Sequence, residues 1–195
     1  MRLPRLGTSP LVDRWLLLTL GASLLSMFTA GWIADWAMLS PDRVLHGQVW
    51  RLVTWAFIEV APLSLIFTCV AIFKFGGELA VRWGDRRLRR FMLEIVVAAA
   101  VVTTLLALIA PDTMYLSRTA GWVIGDVLCI AWARQYPTAV VRIYGMLELS
   151  GQRLIAVTIG ATVIFAIANG PLVMAPELFA CFATLYYPHQ RLARR

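Results

Sequence analysis

The chain has 195 residues, of which 60% are hydrophobic and 15% charged, and its formal net charge is +7. Soluble domains are about 45–50% apolar and about 25% charged, so this composition excludes an ordinary soluble protein. The arginines stand at the ends of uncharged apolar runs, which is the distribution that membrane topology produces. We therefore interpret the positive charge as a topology signal and expect a lipid bilayer, and no nucleic acid, as the partner of this surface.

The uncharged runs predict six helical spans, because backbone polar groups in lipid must be paired within the segment. A retained first span, rather than a cleaved signal peptide, follows Arg2, Arg5 and Arg14. Asn169-Gly170-Pro171 interrupts the last long run, which therefore reads as two short helices. The predicted spans lie at roughly 15–34, 62–83, 91–110, 119–133, 154–168 and 172–187.

The distribution of arginine favours six spans over five. With six spans, both termini and the basic loops at 84–90 and 134–153 are cytoplasmic, and only Arg43, Arg51 and Arg118 lie on the opposite side. Five spans would place the C-terminal arginines on the wrong side. The sequence thus predicts a single domain over residues 1–195, an all-α integral membrane protein with six transmembrane helices. Arginine outnumbers lysine 17 to 1, and from this bias we expect a bacterial source and a bacterial inner membrane.

Several short segments resemble motifs of the rhomboid family of intramembrane proteases. Residues 46–54 (HGQVWRLVT) are similar to the first-loop motif Gly-x-x-Trp-Arg-Leu-x-Thr, and residues 75–79 (FGGEL) with 83–84 (WG) resemble the end of rhomboid helix two. Residues 132–137 (WARQYP) resemble the Derlin loop after helix four. Residues 118–125 (RTAGWVIG) resemble the Gly-x-Ser-Gly-x-x-x-Gly signature of the nucleophile. The resemblance implies a six-transmembrane-helix rhomboid-like bundle.

The same resemblance implies that the catalytic positions are degenerate. The nucleophile position holds Ala120, which has no attacking atom. The two positions on helix two that help to stabilise the oxyanion hold Ser64 and Thr68, which donate only weakly. The position of the base on helix six holds Glu177. We therefore expect no catalytic residue at these four places.

The histidines do not restore a catalytic dyad. His46 lies in the first loop and His189 lies beyond the last span, whereas a nucleophile and its base must be within hydrogen-bond reach. A zinc protease would need His-Glu-x-x-His, which is absent, and Gly125-Asp126 matches only part of the Gly-x-Gly-Asp motif of aspartyl intramembrane proteases. The sequence thus predicts no enzyme, no metal and no cofactor.

Other residues admit more than one interpretation each. Asp126 lies inside a span, where an ionisable residue is functional by default. It bonds a neighbouring helix or arginine, or it offers a polar contact to client helices, or it handles protons or ions. Gly121 and Gly125 form Gly-x-x-x-Gly, which serves packing within the bundle or dimerisation. Trp50 and Arg51 either hold the first loop together or contact lipid and clients.

Lys74 and Glu78 stand four residues apart on one helical face, so we expect a local ion pair rather than a transport site. With the resemblance, these features imply a non-catalytic rhomboid-like protein that binds transmembrane segments of clients. Its role would be membrane-protein quality control or trafficking, with an ATPase or a membrane protease as partner. The alternative is a structural subunit or scaffold of a larger membrane complex. An enzyme with relocated residues, using Ser64 or Ser117, and a small transporter are the remaining hypotheses.

Overall fold

The computed structural model describes residues 9–143 and 147–187, and side chains except those of 141–148. The predicted cytoplasmic location of the termini and the position of His189 lie outside these residues. Within them the fold is helical, with one small hairpin. In chain order the helices are α1 (Pro10–Phe28), α2 (Trp32–Ala37), α3 (Pro41–Leu45), α4 (Arg51–Thr54), α5 (Pro62–Ala71), α6 (Gly77–Trp83), α7 (Asp85–Ile109), α8 (Gly121–Gln135), α9 (Gly151–Asn169) and α10 (Ala175–Tyr186).

Four helical segments of the described chain are long and apolar enough to cross a membrane. They are α1, the continuous segment Pro62–Trp83, α7 and α9. Helices α8 and α10 have 15 and 12 residues. At about 1.5 Å per residue these two reach roughly 22 and 18 Å, which is less than a hydrocarbon core of about 30 Å. The total of six spans therefore stays a prediction.

Helix α8 lies at the centre of the bundle. It packs against α5, α7, α9 and α10. Most of its apolar side chains are buried, and Val123, Ile124, Val127 and Leu128 have no exposed surface, whereas Trp122 in its first turn is 46% exposed. A helix that is hydrophobic on most of its sides belongs largely to the core. Neighbouring helices thus enclose the short helix except at Trp122.

The segment Pro62–Trp83 contains a π-helical stretch, Ile72–Gly76, between α5 and α6. A π turn adds a residue to the helical turn and shifts the faces that follow it. Gly84, with a φ of 82°, then ends α6 in a conformation that favours glycine. Helix α7 begins at the next residue, Asp85, whose acidic side chain suits a helix N-terminus. The predicted basic loop at 84–90 is therefore mostly the first turns of α7.

The segment between α8 and α9 departs from the all-α prediction. Strands β1 (Val140–Ile143) and β2 (Leu147–Ser150) pair antiparallel, with Val140 opposite Ser150. The β-branched residues of β1 suit a strand. The predicted loop at 134–153 is thus a helix end followed by a hairpin.

The first loop is a folded unit rather than an open chain. The Arg51 side chain is buried, and its Nη1 donates to the carbonyls of Asp35 at 2.6 Å and Met38 at 2.7 Å, while Nε donates to Gln48 Oε1 at 2.7 Å. Leu39 and Arg118 exchange two backbone hydrogen bonds of 2.9 Å. This bridge fixes the loop against the segment that leads into α8.

Candidate functional site

Ala120 stands at the N-terminus of the central helix, as the residue before α8. Its side chain has no exposed surface, and its N–H donates to the carbonyl of Trp55 at 3.2 Å. The position that the resemblance assigns to the nucleophile is therefore a buried methyl group at the start of α8. A methyl group has neither a lone pair nor a proton to give, so no covalent step can begin there.

Thr68 of α5 faces the same helix end. Its side chain is 1% exposed, and its Oγ1 has no hydrogen-bond partner among the described residues. A Cβ built on Gly121 would lie only 2.7 Å from that oxygen. Ser64 is also buried and precedes Thr68 by four residues, so both side chains share one face of α5. The structure thus brings Thr68 to the first turn of α8, beside position 120.

Glu59 fills the space beside Gly121 at this helix end. It is 3% exposed, and its two carboxyl oxygens accept from Thr119 Oγ1 at 3.1 and 3.2 Å. Oε1 also accepts from the N–H of Val60 at 3.0 Å. A Cβ on Gly121 would overlap Oε2. A carboxyl group is well placed at a helix N-terminus, and here it serves as the acceptor for Thr119 and Val60.

The sequence pointed to residues 118–125 but not to Glu59. Its backbone N–H also donates to Ser23 Oγ of α1 at 3.0 Å. One residue therefore joins α1, the first loop and the start of α8. The signal in the sequence was a lone acidic residue between aromatic and apolar residues, three positions before Pro62.

Glu177 of α10 and Arg118 interact electrostatically but do not form a close ion pair among the described residues. Glu177 is buried, and its Oε2 has no hydrogen-bond partner among the residues the structure describes. Burial lowers the pKa of Arg118, and the charge of Glu177 opposes that shift. Arg118 Nη1 donates to the carbonyl of Val173, which holds the guanidinium over the start of α10. The predicted base position therefore carries a buried carboxyl group in the field of one arginine.

Asp126 lies where three helices meet. Its Oδ2 accepts from Thr162 Oγ1 of α9 at 2.9 Å and from Cys181 Sγ of α10 at 3.7 Å. No cation lies within 4 Å of it in the described part of the chain. Of the two structural partners that we considered for Asp126, the structure provides neighbouring helices and no arginine. The residue keeps partial exposure, so a carboxyl group with spare acceptor capacity remains at the side of α8.

The two glycines of α8 face α5. Besides the overlap at Gly121, a Cβ on Gly125 would lie 3.1 Å from a ring carbon of Phe67. Small residues at both positions let the two helices approach closely. The Gly-x-x-x-Gly pattern thus serves packing within the bundle.

An aromatic row lies on the outer surface between α5 and α9. It consists of Phe67, Trp122 and Phe165, with Trp122 in the middle at ring-centroid distances of 5.5 Å from Phe67 and 6.1 Å from Phe165. The three side chains are 45%, 46% and 49% exposed. Trp122 directly follows Gly121, so this half-exposed row opens beside the buried site at the start of α8.

Trp50 and Arg51 lie in different environments in the structure. Arg51 is 1% exposed and bonds within the first loop, so its guanidinium does not reach lipid or a client. Trp50 stacks on Trp36 at 5.6 Å and is 39% exposed, so its ring remains available at the interface. The structural interpretation thus fits Arg51, and the contact interpretation fits Trp50.

The expected ion pair between Lys74 and Glu78 is absent from the described residues. Glu78 Oε2 instead accepts from Trp132 Nε1 of α8 at 2.5 Å. The physical reason is the indole N–H of Trp132, which holds the Glu78 carboxyl group toward α8 instead of toward Lys74.

These features define a helical integral membrane protein with a polar site, closed by its own carboxyl group, at the start of a short central helix. The chain belongs to the family described as eukaryotic integral membrane protein (DUF1751), whose model matches residues 14–188. A search of curated proteins finds no match.

The match confirms that this is a membrane protein with transmembrane helices, and it corrects the predicted location. A bacterial inner membrane is wrong, because the family is eukaryotic. The excess of arginine over lysine misled the prediction, since codon bias reflects the base composition of a genome and not the kind of cell. The integral membrane location itself stands.

Proposed function

We propose that this chain is a catalytically degenerate rhomboid-like protein that binds transmembrane segments of client proteins at the aromatic row. The observation that carries the proposal is that two different environments lie side by side. The nucleophile position is buried and holds an alanine without a hydroxyl group, whereas the aromatic row next to it is exposed at the lateral surface. Ala120 is buried behind Glu59, whereas Trp122, two residues later, is half exposed. The fold resemblance then implies a role in membrane-protein quality control or trafficking.

The argument against catalysis rests on the groups around position 120. Thr68, Thr119 and Glu59 carry polar side chains there, and they do not include the serine and histidine that the resemblance to a serine protease would require. His46, the histidine within the described residues, lies in the first loop, where its Nδ1 is 2.8 Å from the carbonyl of Asp42. A site that already holds a carboxyl group also disfavours a second oxyanion, because like charges repel at close range.

The argument for client binding rests on the surface between α5 and α9. Aromatic side chains bury large areas and dominate the energetics of contact surfaces. Asp126 lies one helical turn below Trp122 and offers an acceptor to a polar residue of a client helix. Transmembrane segments that carry a polar residue gain most from such a partner, since unpaired polar groups are costly in lipid. An ATPase or a membrane protease that acts on the bound client belongs to the proposal through the resemblance alone.

Site-specific photocrosslinking in the native membrane tests this proposal. A photoreactive phenylalanine replaces Phe67 or Phe165 in the aromatic row, and Leu108 on α7, which is 53% exposed, provides a matched lipid-facing control. We expect adducts with a range of membrane proteins from the two row positions and not from Leu108. Equal labelling from all three positions would contradict client binding at the row.

The second candidate function is that of a scaffold subunit. Helix α9 favours the scaffold, because only 22% of its most apolar stretch of residues is buried, the smallest share among the four candidate spans. A large apolar face of this kind also suits a fixed neighbour. A single adduct of constant mass and near-stoichiometric yield from Phe165 would support the scaffold and contradict client binding.

A further inference from the structure

A groove of about 550 Å³ opens along α5 and α6, toward the Trp83 end of the segment from the aromatic row. It is lined by Val70, Phe73, Lys74, Glu78, Val81 and Tyr136, with Gly77 at its base. The π turn Ile72–Gly76 lies directly in the groove wall. Such turns are frequent at functional sites, because they displace side chains from the regular helical faces.

The two charged groups of the groove are not paired with each other. Lys74 has no carboxylate within 4 Å among the described residues. Glu78 uses one oxygen for Trp132 Nε1, which leaves its other oxygen able to accept. Both side chains are exposed. An ammonium group within an apolar span is costly unless it finds a counter-ion, so a ligand with a negative group would be stabilised here.

The order of side chains along the helix matches the anatomy of a phospholipid. Val70 and Phe73, 53% and 46% exposed, are farthest from the Trp83 end of the segment. Lys74 follows, and Glu78 is one turn nearer to that end, about 6 Å farther along the axis. An acyl chain, then a phosphate, then an ammonium group would meet apolar, cationic and acidic side chains in this order.

The depth of Lys74 is compatible with such a ligand because a lysine side chain can extend along its span toward the headgroups. Lys74 lies nine residues before Trp83, which is about 13 Å along the helix. Helix α8 ends beside Trp83, where the Oε1 of Gln135 accepts from Trp83 Nε1 at 3.2 Å. Tyr136, directly after α8, adds a phenol at the same groove.

We propose that this groove binds a phospholipid with a primary-ammonium headgroup, of the phosphatidylethanolamine class. Lys74 pairs with the phosphate, Glu78 accepts from the ammonium group, and Val70 and Phe73 contact the acyl chain. Phosphatidylcholine offers the same phosphate but no N–H donor, and phosphatidylglycerol offers no cation. The groove therefore distinguishes the three classes by chemistry that its own side chains provide.

Lipid titration of the delipidated full-length protein in detergent, followed by native mass spectrometry, tests the proposal. The probes are phosphatidylethanolamine, phosphatidylcholine and phosphatidylglycerol with identical acyl chains. We expect the ethanolamine lipid to bind about tenfold more tightly than the other two. Equal affinity for the ethanolamine and choline lipids would overturn the proposal, and so would tightest binding of phosphatidylglycerol.

Two variants and a control assign the effect to the groove. Glu78→Gln keeps an acceptor for Trp132, so it should remain folded while losing the preference for ethanolamine over choline. Lys74→Gln should weaken the binding of all three lipids. Arg82→Gln, an exposed residue of α6 outside the groove lining, should change neither property. Loss of the preference in Arg82→Gln, or its persistence in Glu78→Gln, would contradict the assignment, and thermal unfolding of each variant verifies the fold.

Discussion

Replacing Gly121 with alanine should destabilise the protein strongly, although the added group is a single methyl. Its Cβ would overlap Glu59 Oε2 and lie 2.7 Å from Thr68 Oγ1. The Glu59 side chain cannot simply swing away, because Thr119 Oγ1 and the N–H of Val60 hold its oxygens. The substitution therefore forces either the carboxyl group or helix α5 to move.

The magnitude follows from these contacts. Hydrogen bonds that involve a charged group contribute about 1.5–3 kcal/mol, and overpacking a tight site costs about 1–3 kcal/mol. Alanine recovers up to about 1 kcal/mol over glycine in a helix. We expect the free energy of unfolding to fall by about 2–4 kcal/mol. Gly160→Ala in α9 is the matched control: nothing lies within 4 Å of its Cβ, so it should be neutral or slightly stabilising.

Unfolding in mixed detergent micelles, with denaturing detergent as the variable, measures both variants. A double-mutant cycle with Glu59→Ala tests the cause, because removal of the carboxyl group opens space for the new methyl. The cycle should give a coupling of at least about 1 kcal/mol in the compensating direction. If Gly121→Ala is as stable as Gly160→Ala, the close approach of Glu59 to the start of α8 is refuted.

Three further predictions concern the first loop and the nucleophile position. Arg51→Lys should lower the free energy of unfolding by about 2–3 kcal/mol, because a compact ammonium cannot reproduce the fork with which Nε and Nη1 reach separate acceptors. Arg43→Lys, in an exposed pair, should cost less than about 1 kcal/mol, and parallel unfolding curves check this difference. The hydrogen bond from Arg43 lowers the pKa of Asp35 below its ordinary value of 3.8. The carboxylate therefore makes a small contribution to the free energy of unfolding at pH values above 3.8. This contribution is lost as the pH falls through the lower pKa of the folded state. Asp35→Asn should therefore flatten the unfolding profile below about pH 4, and an unchanged profile would contradict the pairing. Ala120→Ser should not react with a fluorophosphonate probe, since His46, the histidine of the described residues, bonds in the first loop rather than beside position 120, and stoichiometric labelling of the serine would contradict the proposed loss of catalytic geometry.

The positions of the helices could be predicted from the sequence, whereas their ends often could not. Uncharged runs indicate where helices pass through lipid, but local capping determines where they begin. Helix α1 starts at Pro10 rather than at 15, because Ser9 Oγ accepts from the N–H of Val12. Asp13 and Arg14 lie inside this first turn and hid the start, since a search for uncharged residues excludes them.

The polar site was only half predictable, for a similar reason. Ala120, Gly121 and Thr68 could be placed through motif spacing, which reflects positions along one or two helices. Glu59 could not, because its contact with Gly121 joins residues distant in sequence and depends on how the first loop folds onto α8. The pairing expected for Lys74 also failed, since Glu78 instead accepts from Trp132, a residue of α8 that is distant in sequence.

Buried polar side chains around α8 give a physical reason for this arrangement of helices. Glu59, Asp126 and Glu177 each bring a carboxyl group to α8 or to its neighbours, while Arg118 brings one cation. Such buried polar groups stabilise one arrangement of helices when all partners are in place. Asp126 contributes to it through its hydrogen bond with Thr162 of α9.

The most direct test of the account is photocrosslinking to a defined segment in proteoliposomes. The purified protein carries the photoreactive group at Phe165 or at Leu108, and the segment is a leucine-alanine transmembrane helix with or without one central asparagine. The account predicts a yield from Phe165 about three- to tenfold higher for the asparagine segment, with the preference lost in Asp126→Leu. Equal yields from Phe165 and Leu108 for both segments would contradict the claim that the surface between α5 and α9 binds transmembrane helices.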